Sequence, residues 1–353
     1  MKINYLDNKL SYYYNQHYHI LPCLGIEYNR IKLLQELNAI IRTKYPSFKK
    51  SIFEILLQKT NKKYDPILAY VSNEDTGNKD ITNLINTNMK SIIKKIRGMK
   101  YVNEKVKKSI SSEIILEYRD IRIEIKRRIY NRIRKSIIDS SFEFFCNYDT
   151  LLWMIYNRYI KMELYNNSQG ATKEEHYREI QQRFNSQIEG FGSIFNHTLP
   201  YYFGLFPDLE QYFGCLGNFY ISHIKSGFYL VNPPFTVNDI NRTIRHILKQ
   251  LELSKHDLTF LLVIPAWDNE DRVLLNKKCK TKLKITKYEE ELELWRCRNS
   301  KYLRKYYLYC KEDYKYYNFL LDKDAYFTAT NLILLSNTRK EYNIQSIFGK
   351  PIK

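Results

Sequence analysis

The stretch SGFYLVNPPF, residues 226–235, ends an apolar run with two consecutive prolines. Two prolines in a row continue neither a helix nor a central strand. FYLV, residues 228–231, is therefore predicted to be a short buried strand that stops at Asn232. An amide before the stop and an aromatic ring after it, at Phe235, require a further explanation.

Two further segments place this strand in a sheet. LTFLLVI, residues 258–264, is a second apolar run, and TNLILLS, residues 330–336, is a third. Such runs are typical of buried, often parallel, strands. Between the first two runs, NDINRTIRHILKQLEL has helical spacing at Ile240, Ile244, Ile247 and Leu251. Strand, helix and strand at this length predict a βαβ unit in an α/β sheet.

The first half of the chain has a different pattern. Residues 28–165 are mostly helical in periodicity, and five isoleucines spaced by four predict one helix face, at Ile121, Ile125, Ile129, Ile133 and Ile137. A polar, Gly-containing cluster, YNNSQG at 165–170, marks a boundary. We expect a helical accessory domain over 1–168 and an α/β domain over 169–353.

The chain is strongly basic, and its Lys and Arg residues are unevenly distributed along the sequence. The 57 Lys and Arg residues exceed the 38 Asp and Glu residues by 19. Enrichment in Lys, Asn, Ile and Tyr also resembles the coding bias of an AT-rich genome. Residues 90–135 nevertheless contain 16 basic and 5 acidic side chains, which a uniform bias does not produce. This region is a solvated surface, a phosphate track for RNA or an anionic-membrane surface; Arg127 and Arg128 are the candidate RNA contacts.

The cysteines and the apolar segments argue against a zinc protein, a secreted protein and a membrane protein. The six cysteines are scattered and form no CxxC pair, so no zinc site is expected and a reducing compartment fits best. No apolar segment is long enough to cross a bilayer, and the N-terminus lacks the apolar core of a secretory signal. We therefore expect an intracellular protein, cytoplasmic or nuclear, without membrane or metal. The sequence does not indicate an oligomeric state.

Asn-Pro-Pro-Phe has the composition of a clamp for a planar amine. Ligands bind beyond the carboxyl ends of strands in open α/β sheets, which is where residues 232–235 lie. An exocyclic amino group is a poor nucleophile because its lone pair is delocalised into the ring. The side-chain oxygen of Asn232 can accept one of its hydrogens, and the carbonyl of Pro233, directed by the Pro233–Pro234 pair, can accept the other. Phe235 can stack on the base.

This tetrapeptide is the signature of the S-adenosylmethionine-dependent amino-methyltransferases. Enzymes with this signature act on adenine, guanine or protein glutamine, so the motif indicates the reaction class and leaves the substrate open. The alternative is a Pro-Pro turn that only closes a strand.

The surroundings of the motif resemble the cap-specific adenosine N6-methyltransferase family, which includes the phosphorylated-CTD-interacting factor. The similarity is patchy but collinear from about residue 185 to 336. The matching positions are Phe206-Pro207-Asp208, Tyr212-Phe213-Gly214, Gly217, Asn232 to Phe235, Ile264-Pro265 and Trp267. The resemblance implies a Rossmann-like methyltransferase domain after a helical domain, and N6-methylation of the first transcribed adenosine of capped mRNA.

The resemblance also implies site residues. Asn232, Pro233, Pro234 and Phe235 would be catalytic, and Phe235 and Trp267 would contact the adenine. S-adenosylmethionine would be bound by Asn232 together with Phe206, Pro207, Asp208, Phe213 and Gly214.

Two acidic residues of the family pattern are missing here. Val237 and Ala266 occupy those positions, with Asp239 and Asp268 nearby as substitutes. The N-terminal WW module is not recognisable, and the length and coding bias fit a viral relative.

Three functions remain open from the sequence. The first is a cap-adjacent adenosine N6-methyltransferase. The second keeps the chemistry and acts on internal RNA or DNA adenines. The third is a catalytically decayed RNA-binding or scaffold protein, with Val237 and Ala266 as marks of decay.

Overall fold

A computed structural model describes residues 23–59, 65–144, 146–164, 169–280, 292–325 and 328–352. The chain divides into two compact units. Within the described residues, the first unit holds 23–164 together with Leu205–Gly214, and the second holds 169–204 and 215–352.

The first unit combines helices with a small sheet. Its helices are Leu24–Lys44 (α1), Ile52–Gln58 (α2), Asn73–Thr76 (α3), Lys79–Arg97 (α4), Arg127–Lys135 (α5) and Tyr148–Lys161 (α6), with the short helix Pro207–Glu210. Its antiparallel sheet has the order β1-β2-β3, with strands Lys107–Ile110 (β1), Ile114–Tyr118 (β2) and Ile121–Ile125 (β3).

The predicted helix through the isoleucine stripe was wrong at its start. Residues 121–125 form β3, and the helix begins only at Arg127. In β3, Ile123 and Ile125 are buried while Arg122 and Glu124 are exposed, which is the two-residue alternation of a strand. The expectation of a mostly helical region over 28–165 did not include this sheet. A spacing of four fits both the helical and the strand period, and pairing with β2 decides for the strand.

The second unit is built on a six-stranded sheet of order β6-β5-β7-β8-β12-β9. Its strands are Ile188–Glu189 (β5), Tyr201–Tyr202 (β6), Gly227–Val231 (β7), Leu258–Pro265 (β8), Leu303–Tyr309 (β9) and Thr330–Ser336 (β12). The sequence-predicted strands at 228–231 and 258–264 are confirmed, and they pair in parallel with Val231 opposite Leu262. The third predicted strand, β12, is antiparallel to both β8 and β9.

Helices cover both faces of this sheet. The helices of the second unit are Glu174–Phe184 (α7), Val237–Leu253 (α8), Asn269–Lys278 (α9), Leu294–Arg298 (α10) and Gln345–Phe348 (α11). The α8-side cluster buries Ile240, Ile244, Ile247, Tyr229, Phe260 and Leu262. The α7-side cluster buries Tyr177, Ile180, Phe228, Leu230, Leu261 and Val263. Every residue of β8 is buried, which explains its continuous apolar sequence.

A second, three-stranded sheet has the order β11-β10-β4, with strands Gly170–Thr172 (β4), Tyr316–Asn318 (β10) and Lys323–Ala325 (β11). Cys279 and Cys310 form a disulfide, with Cα atoms 5.7 Å apart. The scattered cysteine spacing did not predict this bridge, and a disulfide is at odds with the reducing compartment inferred from that spacing.

Among the described residues, no helix combines the length and the apolar character that crossing a bilayer requires. In the same part of the chain, no group of three or more His, Cys, Asp or Glu side chains is arranged to hold a metal ion.

Candidate functional site

The strand order of the second unit reverses at β5. β5 pairs in parallel with β6 on one side and with β7 on the other, so the chain leaves β5 towards one edge of the sheet and later returns to its other side. The carboxyl ends of β5 and β7 are Glu189 and Val231. In open α/β sheets, such a switch point forms a crevice in which ligands bind.

A glycine loop follows β5 at this switch point. The backbone N–H of Gly190 donates to the Leu230 carbonyl at 2.8 Å. A Cβ atom on Gly190 would lie 2.8 Å from Cγ2 of Val231, and one on Gly192 would lie 2.9 Å from Cβ of Tyr202. Only glycine therefore fits at either position without displacement of neighbouring atoms. These glycines were not among the predicted site residues, although the Gly-x-Gly spacing in EGFGS, residues 189–193, is a signal for such a loop.

Asn232 begins the segment that follows β7. Its side-chain oxygen Oδ1 is buried and has no hydrogen-bond partner within the described residues. An unsatisfied buried acceptor costs about 1–3 kcal/mol, so native proteins keep few of them without a function. Asn232 comes directly after Val231, against which Gly190 packs, so its backbone follows the residue that contacts the glycine loop.

The proline pair leads into a capped helix. The Thr236 N–H donates to the Pro234 carbonyl at 2.8 Å. The Thr236 hydroxyl then accepts from the Asp239 N–H at 3.1 Å and so caps α8. The carbonyl that closes this turn thus belongs to Pro234, whereas the predicted second acceptor of the clamp is the carbonyl of Pro233.

Phe235 and Trp267 lie beyond the carboxyl ends of neighbouring parallel strands. Phe235 is half-buried and meets the Tyr316 ring edge-on, with centroids 5.6 Å apart. Trp267 comes two residues after β8 and is half-buried against the α8-side cluster. The structure therefore places Asn232, Phe235 and Trp267 at the same edge of the sheet, as neighbouring parallel strands require.

The positions that depart from the family pattern are apolar and packed. Val237 packs against the α8-side cluster, and Ala266 is buried. Of the nearby carboxylates, Asp239 accepts from the Thr236 hydroxyl at 2.7 Å and from the Tyr220 hydroxyl at 3.1 Å. Asp268 accepts from the Glu270 N–H and pairs with Arg298. Both carboxylates thus already have protein partners.

The remaining predicted cofactor residues belong to the first unit. They are Phe206, Pro207, Asp208, Phe213 and Gly214. Asp208 is buried, and its two carboxylate oxygens accept from Arg158 at 2.8 and 2.9 Å. Arg158 is fully buried and also bonds Glu27. Burial favours the neutral form of Glu27, but Arg158 and Arg30 outweigh it and hold the pKa of Glu27 below its usual value.

Arg127 and Arg128, the predicted RNA contacts, open helix α5 and are exposed. The Arg127 guanidinium donates to the Ser111 carbonyl. Three more basic residues follow on this helix, at Arg132, Arg134 and Lys135.

Comparisons with known proteins identify a family and two similar enzymes. Residues 127–319 match the family described as "Phosphorylated CTD interacting factor 1 WW domain". The chain is 28% identical over 167 residues to the mRNA (2'-O-methyladenosine-N(6)-)-methyltransferase of Mus musculus, and 28% identical over 164 residues to that of Homo sapiens. Each alignment covers 44% of this chain and 23% of the relative, so the chain matches about a quarter of the relatives' length.

Proposed function

Because this chain belongs to the phosphorylated CTD interacting factor 1 family, we propose that it is an S-adenosylmethionine-dependent RNA methyltransferase. The product is N6-methyladenosine, and the substrate is the first transcribed adenosine beside the mRNA cap. One observation carries the proposal: the side-chain oxygen of Asn232, the residue directly after β7 at the switch point of the sheet, is buried without a hydrogen-bond partner within the described residues.

The residues at the switch point fit the cofactor and the base. Glycine at 190 and 192 lets the backbone after β5 pack tightly against Val231 and Tyr202, which holds this loop close to the end of β7. The orphaned oxygen of Asn232 fits the amino group of an adenine because it is an acceptor without a donor. When bound, S-adenosylmethionine supplies an electrophilic methyl group on a positively charged sulfur.

The chain's own residues orient the nucleophile. Asn232 Oδ1 and the Pro233 carbonyl each accept a hydrogen bond from the adenine amino group. These two hydrogen bonds direct the lone pair of the amino nitrogen out of conjugation with the ring. Phe235 and Trp267 bind the base through their faces, a contact worth about 1–3 kcal/mol per base. Such orientation of two bound reactants lowers the barrier because the entropy of bringing them together is lost on binding, before the chemical step.

The family resemblance also assigns Phe206, Pro207, Asp208, Phe213 and Gly214 to the cofactor, and for these residues of the first unit that assignment rests on the resemblance alone. Arg127 and Arg128 hold phosphates of the RNA chain, where each neutralised phosphate releases counterions. RNA is therefore the proposed macromolecular partner.

A substrate comparison tests the proposal. Labelled methyl transfer is measured on capped adenosine-start RNA, on the same RNA without a cap, and on single-stranded DNA, followed by nucleoside analysis. We expect N6-methylated adenosine, with the capped RNA preferred at least tenfold. Equal transfer to uncapped RNA or DNA would favour the internal-adenine alternative. Absence of S-adenosylmethionine binding by calorimetry would favour the decayed scaffold.

A further inference from the structure

The segment that carries Trp267 is held by few backbone hydrogen bonds. Beyond the end of β8, the Ala266 N–H donates to the Ala329 carbonyl at 2.8 Å, and the Trp267 N–H donates to the Pro265 carbonyl at 3.0 Å. The Trp267 ring is only half-buried. Its position therefore depends on its packing against the α8-side cluster and on what fixes the residues that follow.

Arg298, the last residue of α10, fixes those residues. Its two Nη atoms contact both carboxylate oxygens of Asp268 at 3.1 Å, and they also contact Glu270 at 3.2 Å and Asp271 at 3.1 Å. Three of the four residues that follow Trp267 thus place a carboxylate on one guanidinium. A planar fork with donors on two nitrogens can reach all three, whereas a lysine ammonium offers a single nitrogen.

The network is anchored in the sheet. Asp271 is fully buried and accepts from the Tyr306 hydroxyl at 2.5 Å and from Asn331 Nδ2 at 3.0 Å. Tyr306 lies on β9 and Asn331 on β12, so the carboxylates after Trp267 are tied to two strands. Burial, followed by the Asp271 charge, raises the pKa of Tyr306 above its usual value, which keeps the hydroxyl protonated as a donor.

Arg298 is the cation that holds the three carboxylates of this network together. One guanidinium faces three carboxylates, and Asp271 has no exposed surface. Loss of the cation would leave these carboxylates to repel each other within one turn of helix α9. The Trp267 segment, joined directly to Asp268, would then move.

We propose that Arg298 is a positioning residue, which sets the Trp267 ring for binding of the target base through the carboxylates of Asp268, Glu270 and Asp271. This inference rests on the proposed function, because it assigns Trp267 to the base. Arg298 itself makes no contact with the substrate.

A double-mutant cycle tests the inference. Arg298→Lys is combined with Trp267→Ala, and kcat and KM for RNA are measured for all four proteins. We expect Arg298→Lys alone to lower kcat/KM for RNA about tenfold, and to change it less than twofold when Trp267 is already alanine. Additive effects would overturn the inference, since groups that act through one another are coupled. Arg296→Lys, a half-exposed neighbour on the same helix, is the matched control.

A readout without activity separates this inference from the proposed function. Acrylamide quenching of Trp267 fluorescence, taken as the difference from Trp267→Phe, should increase about twofold or more in Arg298→Lys. Unchanged quenching would refute the positioning role even if the enzyme is active. If no methyl transfer occurs in the wild type but quenching increases, the proposed function fails and the structural link between Arg298 and Trp267 stands.

Discussion

Substitution of Gly190 by alanine tests the close packing of the switch point. The added Cβ would lie 2.8 and 3.0 Å from the two methyl carbons of Val231 and 3.1 Å from its Cα. The distance of 2.8 Å is too short for two carbon atoms that are not bonded to each other. A rotation of the Val231 side chain would move its methyl groups but not its Cα. The loop after β5 must therefore separate from β7, beside Asn232.

The size of the effect follows from overpacking. An extra methyl in a well-packed region costs typically about 1–3 kcal/mol. At about 2–4 °C per kcal/mol for a unit of this size, the midpoint of thermal unfolding should fall by roughly 2–12 °C. S-adenosylmethionine binding should weaken more than tenfold, because the displaced loop is the proposed cofactor cradle.

Thermal unfolding and calorimetric titration check both expectations. Gly98→Ala is the matched control, since the nearest atoms to its added Cβ lie at ordinary contact distances of 3.5 and 3.6 Å. Combining Gly190→Ala with Val231→Ala should recover part of the loss, since two of the three short contacts disappear. If Gly190→Ala behaves like Gly98→Ala, or if the double variant shows purely additive losses, the reasoning about the switch point is refuted.

Three further predictions concern the clamp, the first unit and the basic helix. Asn232→Ala should lower kcat by at least about 100-fold, which is the loss found when a single group aimed at a transition state is removed, while RNA binding measured by anisotropy stays unchanged. Asn238→Ala, on the exposed face of α8, is the control and should have the activity of the wild type. Equal activity of the two variants would refute the clamp. Arg158→Met should destabilise the first unit by about 3–5 kcal/mol in denaturant titrations, because Asp208 loses its buried partner and Glu27 keeps only Arg30. The lowered pKa of Glu27 contributes stability that is present above the usual carboxylate value of 4.5 and is lost as the pH falls through the lowered folded pKa. Because only Arg30 then lowers this pKa, acid unfolding of Arg158→Met should show a smaller component of this kind, and an unchanged pH profile would contradict it. Replacement of Arg127 and Arg128 by glutamine should reduce the salt slope of RNA binding by about 1.4, at 0.7 per lost phosphate contact on a single strand, and an unchanged slope would exclude them from the phosphate track.

The core of the second unit could be predicted from sequence because its signals are local. FYLV and LTFLLVI are continuous apolar runs, and the proline pair ends the first of them at the correct residue. The helix between them has isoleucines on one face, at Ile240, Ile244 and Ile247, all of which are buried. These features depend on burial and on proline geometry, which act within one segment of chain.

Other features could not be predicted because they depend on distant parts of the chain. β3 forms through pairing with β2 across a turn in which Arg119 has a φ of 53°, and its isoleucine spacing fits a helix equally well. β5 is only two residues long, too short for a periodic signal, so the glycine loop after it was overlooked. The Cys279–Cys310 bridge joins residues 31 positions apart.

For the candidate site, the sequence predicted the position of Asn232, Phe235 and Trp267 but not the partners of the nearby carboxylates. Asp208 and Asp268 are acidic residues at suggestive positions, yet each pairs with a buried or half-buried arginine, Arg158 and Arg298 respectively. Both arginines lie at least 30 residues away in the chain, so no local pattern reveals these ion pairs.

The most direct test of the central claim is mass spectrometry of nucleosides from capped adenosine-start RNA after incubation with deuterated S-adenosylmethionine. We expect the wild type to add a deuterated methyl group to N6 of the first adenosine and Asn232→Ala not to do so. Transfer to another atom, or equal transfer by the two proteins, would contradict it.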